Sequence, residues 1–356
     1  MSQSQPLPPF SCTFSPTAPE ILHGLGATIA ISTYQAGKVI FISAKDNEHL
    51  VQLPRNFEKP MGIAIQEDKL AIATSDSVMV LRNAPRMAPN YPKLPKTYDA
   101  LYLPRIQYFT GENDIHDLHW AGDQLWAVNT RFSCLATLDD QYSFTPQWTP
   151  HFITKSEPTD QCHLNGVAFE NNTPKYVTAL GATNKAGGWR ENKANGGIIM
   201  DVDSNSILMK DLPMPHSPRI IDGHLYWLHS ATGDVVRMTA PGKYEIVKSL
   251  DGFVRGMDRI GDYLFIGLSK LRETSQAFQN LPISKKSIYA GVVILYIPKM
   301  SVAGYIKYEN NVDEIYDVRI LPSMKRPGLL SADKSSKVMA ITTPSTDYWG
   351  VAEKEK

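Results

Sequence analysis

Three of the nine histidines in this 356-residue chain stand where they could act together. His116 sits in Asn113-Asp114-Ile115-His116-Asp117-Leu118-His119-Trp120, His163 in Cys162-His163-Leu164-Asn165-Gly166, and His216 in Pro215-His216-Ser217-Pro218-Arg219. Neutral imidazole is the commonest transition-metal ligand, and three of them with an open position suit Zn, Fe or Cu at His116, His163 and His216. The same groups can serve as acid and base with no metal at all. Asp117 or Asp114 can orient an imidazole through its second nitrogen, or act as a base. Asn165 and Tyr316 can hydrogen-bond a substrate, and Arg255, with Arg190 or Arg272, can clamp a carboxylate or phosphate. The expected chemistry falls to His116, Asp117, Arg255 and Tyr316, and substrate holding to Asn129, Asn165, Trp189, Arg190 and Arg272.

Something must bring these distant residues together, and the chain carries a repeat that can. Short β-branched runs bounded by Gly, Asp, Asn and Pro follow one another almost to the end, as all-β chains do. His116 to Leu125 superposes without gaps on the stretches starting at Met61, His216 and Arg255, and with a longer turn on Asn165. A degraded sixth copy starts at Tyr316. The spacing is close to the roughly 40–50 residues of known propeller blades. Between Asn165 and His216 four strands are expected, at 165–170, 175–180, 196–203 and 206–212; the next interval gives 216–221, 224–229, 234–239 and 243–249. The sixth copy (315–321) has no following strands, and the runs at 27–32, 38–43 and 49–53 lack a first strand. Pairing them closes a six-bladed β-propeller and leaves no free sheet edge.

That architecture puts residues 1–24, rich in Pro, Ser and Thr, in an extended arm, residues 25–330 in one propeller domain, and 331–356 in a surface tail. The best helical candidate is Ser269 to Asn280. In a propeller the first strand of each blade lines the channel, and the loops before it share one face with the loops joining second and third strands. Met61, His116, Asn165 (with His163), His216, Arg255 and Tyr316 therefore border one mouth. The loops Thr33–Gly37, Asn129–Arg131, Gly181–Lys193, His229-Ser230 and Lys270–Glu273 bring further polar and aromatic groups there. Three readings of this mouth stand open: a metal centre, a metal-free site for a polar ligand, and a structural channel filled with water.

Composition narrows the partners. Lys plus Arg and Asp plus Glu number 36 each, so there is no basic excess to bind nucleic acid or an anionic membrane. No apolar run approaches the roughly 18 residues of a membrane span, and the amino terminus lacks a secretory signal. Cys12, Cys134 and Cys162 are odd in number and widely spaced, as in a reducing compartment. A cytoplasmic protein acting on a small molecule is the expectation, with a non-catalytic ligand-binding or protein-interaction propeller as the alternative. Elements of the repeat frame resemble a bacterial family of conserved hypothetical proteins: His-Asp-Leu-His-Trp, His-Leu-Asn-Gly-Val-Ala, the Gly-Gly-Trp-Arg loop and Pro-His-Ser-Pro-Arg. The likeness runs from about Ile29 to Leu330 and implies a propeller-like fold, with no activity attached. More distantly the architecture is similar to gluconolactonase-type and strictosidine-synthase-type propellers, but the Glu-Asn-Asn-Asp calcium ring of the lactonases is missing.

Overall fold

The computed structural model describes residues 6–271, 281–331 and 335–350. Six four-stranded antiparallel sheets surround a channel. Blade 1 comprises Ile63–Gln66, Lys69–Ala73, Ser77–Asn83 and Ala100–Phe109; blade 2 Ile115–Ala121, Gln124–Asn129, Cys134–Leu138 and Thr145–Trp148. Blade 3 comprises Leu164–Glu170, Thr173–Ala179, Gly197–Asp201 and Ser206–Leu212; blade 4 Pro215–Ile221, His224–His229, Asp234–Ala240 and Lys243–Ser249. Blade 5 is Phe253–Ile260, Tyr263–Ser269, Gly291–Tyr296 and Ser301–Tyr308. Blade 6 joins the two ends of the chain: Asp317–Leu321 pairs antiparallel with Thr28–Thr33, followed by Lys38–Ala44 and Leu50–Asn56. The expected closure is therefore the observed one. Stacked blades cover each other's faces, which is why Thr28-Ile29-Ala30-Ile31-Ser32-Thr33 is buried at every position.

The amino-terminal segment departs from an extended arm. Cys12–Phe14 adds to the outer edge of blade 5, and Thr17–Leu25 forms an α-helix. Ala18, Ile21, Leu22 and Leu25 recur at helical spacing, and Ala18 and Leu22 pack with Ile29, Ile42 and Ile306 across the seam between blades 5 and 6. The helix stops at Gly26, whose φ of 59° is left-handed. The Pro and Thr content of the segment hid this periodicity. At the other end, Pro327–Leu329 pairs in parallel with Ala100–Phe109 and covers the outer edge of blade 1. Beyond it, Ala340–Thr342 and Asp347–Trp349 form a hairpin whose Ala340 and Trp349 pack with Met87 and Tyr91. Both flanks beside the closing blade are thus covered. The helical candidate at Ser269–Asn280 lies mostly outside the described residues; Ser269 itself ends a strand.

Round the channel the second residue of each blade's repeat alternates: Gly62, Asp117, Gly166, Ser217, Gly256, Asp317. The glycines let a blade press on the next. A Cβ at Gly62 would lie 2.8 Å from Asp117 Cα, and one at Gly256, whose φ is 77°, would lie 2.6 Å from Val318 N. The polar residues reach forward instead. Asp117 accepts from Val167 N, Ser217 from Gly256 N and Asp317 from Ile63 N. The ring is therefore three pairs of blades, related by a pseudo-threefold axis along the channel.

Halfway down, the channel is plugged. Arg319 Nη2 lies 2.7 Å from Asp117 Oδ1, and its Nε lies 3.1 Å from Asp317 Oδ2. Arg219 Nη1 lies 3.0 Å from Asp117 Oδ2. The remaining lone pairs go to backbone amides, among them Leu118 N and Val318 N. Burial would raise the Asp117 carboxyl, but Arg219 and Arg319 outweigh it and hold it below the usual range. The two arginines of this plug also line a cavity of about 350 Å³ at the far end of the channel.

Candidate functional site

The mouth above the plug is a pocket of about 270 Å³ lined by His116, His163, His216, Arg255, Tyr316 and Trp189, with Tyr34, Asp114, Arg190 and Glu314 at its sides. Blades 2 and 4 build their histidines identically. His116 Nδ1 lies 2.8 Å from Asp114 O and 2.8 Å from Thr130 Oγ1, whose own hydroxyl proton goes to Leu164 O in blade 3. His216 Nδ1 lies 3.0 Å from Met214 O and 2.9 Å from Ser230 Oγ, which donates to Val254 O in blade 5. In both, the carbonyl is two residues before the histidine and the hydroxyl fourteen after it. A carbonyl can only accept, so the proton sits on Nδ1 and the lone pair on Nε2. No described residue bonds to either Nε2. Burial, then His163 and Arg255, push the His116 imidazole well below its ordinary value. Burial, then Arg255, do the same to His216. Both rings are neutral bases.

His163 is held differently. It has a φ of 53°, and its Nδ1 lies 3.1 Å from each oxygen of Asp160. Asp160 also accepts from Trp189 Nε1 at 2.8 Å and from Arg190 Nη2 at 3.4 Å. Trp189 and Arg190 belong to the short 3₁₀ turn Gly188–Asn192 inside the long loop of blade 3. The His163 ring lies 4.2 Å from the Trp189 ring and 4.7 Å from His116, at 84° to the latter. One carboxylate thus fixes both a histidine and the loop above it.

The third wall is Tyr316. Its ring lies 5.4 Å from His116 and stacks on Tyr34 at 6.0 Å. The Arg255 guanidinium lies 3.4 Å over it, and Arg255 Nη1 is 3.9 Å from Glu314. The Tyr316 hydroxyl is buried and finds no partner among the described residues. Burial raises it well above its ordinary value, so it is a donor.

Residues 16–330 match the model of a family described as DUF4915, a domain of unknown function. The chain belongs to this family. No curated protein matches it in sequence. Among solved structures, this DUF4915 chain is similar to a nidogen/laminin complex, with a TM-score of 0.51 at 10% identity over 83% of this chain and 99% of that one. Two further neighbours have a TM-score of 0.42. A catalytically inactive virginiamycin B lyase from Staphylococcus aureus with quinupristin is 11% identical, over 84% of this chain and 99% of that one. Apo AztD from Citrobacter koseri is 13% identical, over 85% and 88%. At these identities the first likeness speaks for the propeller fold alone.

Within the DUF4915 mouth, His116, His163, His216, Arg255, Tyr316, Trp189 and Arg190 come together as expected. Three residues do not. Asp117 points into the plug, because alternate strand residues face opposite ways and its oxygens serve Arg219 and Arg319; His116 is oriented by a carbonyl and a hydroxyl instead. Asn165 accepts from Thr178 Oγ1 at 2.6 Å and lies buried off the pocket. Asn129 accepts from Phe132 N and shapes its own turn. Arg272 lies outside the described residues. Asp160 lies outside the repeat frame, and its place three before His163 is the one signal the sequence carries for it. Cys162 is fully buried, and burial pushes its thiol up to about 12, so it is packing. His119 faces the opposite mouth, a cavity of about 350 Å³, stacked 3.9 Å from Phe169. No helix among the described residues is long and apolar enough to cross a membrane.

Proposed function

We propose that the mouth is the active site of a cytoplasmic enzyme acting on a small polar or anionic substrate. The observation that carries this is the doubled histidine lock. His116 and His216 spend Nδ1 on the scaffold and, at the pocket they line, leave Nε2 to whatever enters. His163, oriented by Asp160, takes a substrate proton in the manner of a carboxylate-backed base. Arg255 holds the anionic end, Tyr316 donates a hydrogen bond, and Trp189 and Arg190 cover the pocket. A thermal-shift screen of small metabolites against wild type and Arg255→Gln tests this. Stabilising hits lost in the variant are expected; hits indifferent to Arg255, His116 and His216 would refute the placement.

A second reading is a transition metal, Zn, Fe or Cu, held by Nε2 of His116, His163 and His216. In its favour, each Nδ1 already meets the carbonyl or carboxylate that metal-binding histidines use, and rings sharing one ion sit roughly 5 Å apart, near the His116–His163 spacing. Against it, among the described residues no three His, Cys, Asp or Glu side chains stand in ligand geometry. Elemental analysis decides: one metal per chain, lost in His216→Ala, favours this reading.

A further inference from the structure

Resting on the active-site reading above, we propose that the mouth takes a small acid that also carries a hydrogen-bond donor, an amino acid or hydroxy acid, and rejects bare oxyanions. The argument begins with hydrogen count. Because Asp114 O and Met214 O demand the Nδ1 protons, His116 and His216 can offer an entering group only lone pairs at Nε2. Two carboxylates, Asp114 and Glu314, line the same pocket. With the Nε2 of His163, whose Nδ1 faces Asp160, a sulfate or a dianionic phosphate would face five acceptors there. An ammonium or hydroxyl group meets them as a donor.

The cations are placed on the other side of this division. Arg255, laid across the Tyr316 ring, and Arg190, laid across Trp189 at 4.4 Å, present guanidinium groups to the pocket, and Tyr316 adds a hydroxyl donor. With their ion-pair partners counted, Arg131, Arg190 and Arg255 balance Asp114, Asp160 and Glu314, which suits a ligand that is itself positive at one end and negative at the other, or neutral and negative. The volume of about 270 Å³ has room for about nine waters, the size of a small metabolite rather than a nucleotide. A built acceptor pair also discriminates strongly: a ligand lacking the donor leaves buried lone pairs unmatched, which binding sites punish more than a missing methyl group.

The test uses matched probes on the full-length protein. Histidine side-chain nitrogen NMR first reads the tautomer, and His116 and His216 are expected to carry their protons on Nδ1. Alanine, lactate, propionate and sulfate are then titrated. Alanine or lactate should bind at least about tenfold more tightly than propionate and shift the Nε2 signals of His116 and His216, with every acid weakened in Arg255→Gln. Equal binding of propionate or sulfate through Arg255 would overturn the donor requirement while leaving the site where it is placed. No response of His116, His216 or Tyr316 to any probe would overturn both. Stoichiometric Zn(II) binding by those lone pairs, abolished in His216→Ala, would assign them to a metal and overturn the proposal.

Discussion

The mouth and the plug are built from the same strands, a few residues apart, and solve opposite problems. In the plug, Asp117 and Asp317 have their oxygens met by Arg219, Arg319 and backbone amides. In the mouth, His116 and His216 are half-committed and Tyr316 is uncommitted. The plug's carboxylates are satisfied internally and have no lone pair left for a ligand, whereas a group pinned by one atom and open at another is ready for one. Polarity alone therefore does not identify a site; an unspent valence beside an open pocket does.

Among substitutions, the largest expected effect removes that contrast at the plug. Asp117→Ala leaves Arg219 and Arg319 short of a partner in a buried place, and should cost roughly 3–5 kcal/mol in denaturant unfolding. A loss below about 1 kcal/mol would mean water reaches the plug and the comparison fails. Next, Ser230→Ala frees His216 from one of its two Nδ1 partners. It should weaken ligand binding several-fold and cost about 1 kcal/mol of stability, since it also removes the bond to Val254 O. Equal binding by wild type and the variant would show that the lock is scaffold only. Asp160→Asn should shift Trp189 emission and weaken binding by a similar factor, as the variant offers one acceptor oxygen where two now serve His163 and Trp189.

How much of this was readable beforehand follows from what repeats. The blades, their strands and the closure at Asp317–Leu321 were legible because a period shows itself in one chain. So was the placing of His116, His163 and His216 at one pocket, since the first and last hold equivalent places at blade starts and His163 lies two residues before a third. Which way a strand residue faces was not, and Asp117, expected at the mouth, faces Arg219 and Arg319 instead. Asp160 was hidden because it acts from an irregular loop, and Thr130 and Ser230 because a hydroxyl gains meaning only once its distance to a carbonyl in the next blade is known.

Lowering the pH compares all the buried imidazoles at once, with no substitution. Burial lowers His119, at the far mouth, and His229, at a blade end, to about 4, against 6.5 in an unfolded chain. Between those values the unfolded chain takes up protons that the folded one refuses, so stability should fall as pH drops from 6.5 towards 4 and stay flat above it. His116 and His216, also depressed, steepen the fall. A melting temperature unchanged between pH 7 and pH 4.5 would contradict this. The smallest effect is expected at Arg190→Ala, whose exposed pairing with Asp160 should be worth under about 1 kcal/mol.

The paired blades have a consequence for handedness. His116, His216 and Tyr316 stand 100 residues apart and occupy the same position in the three blade pairs, so the scaffold sets them round the axis like the legs of a tripod. The legs are not alike: the first has His163 leaning on it, the second has Phe253 beside it, and the third is a phenol under a guanidinium. A molecule touching all three is read at three different points in a fixed rotational order. Its mirror image would have to present the same groups in the reverse order, and this ring offers them in one direction only.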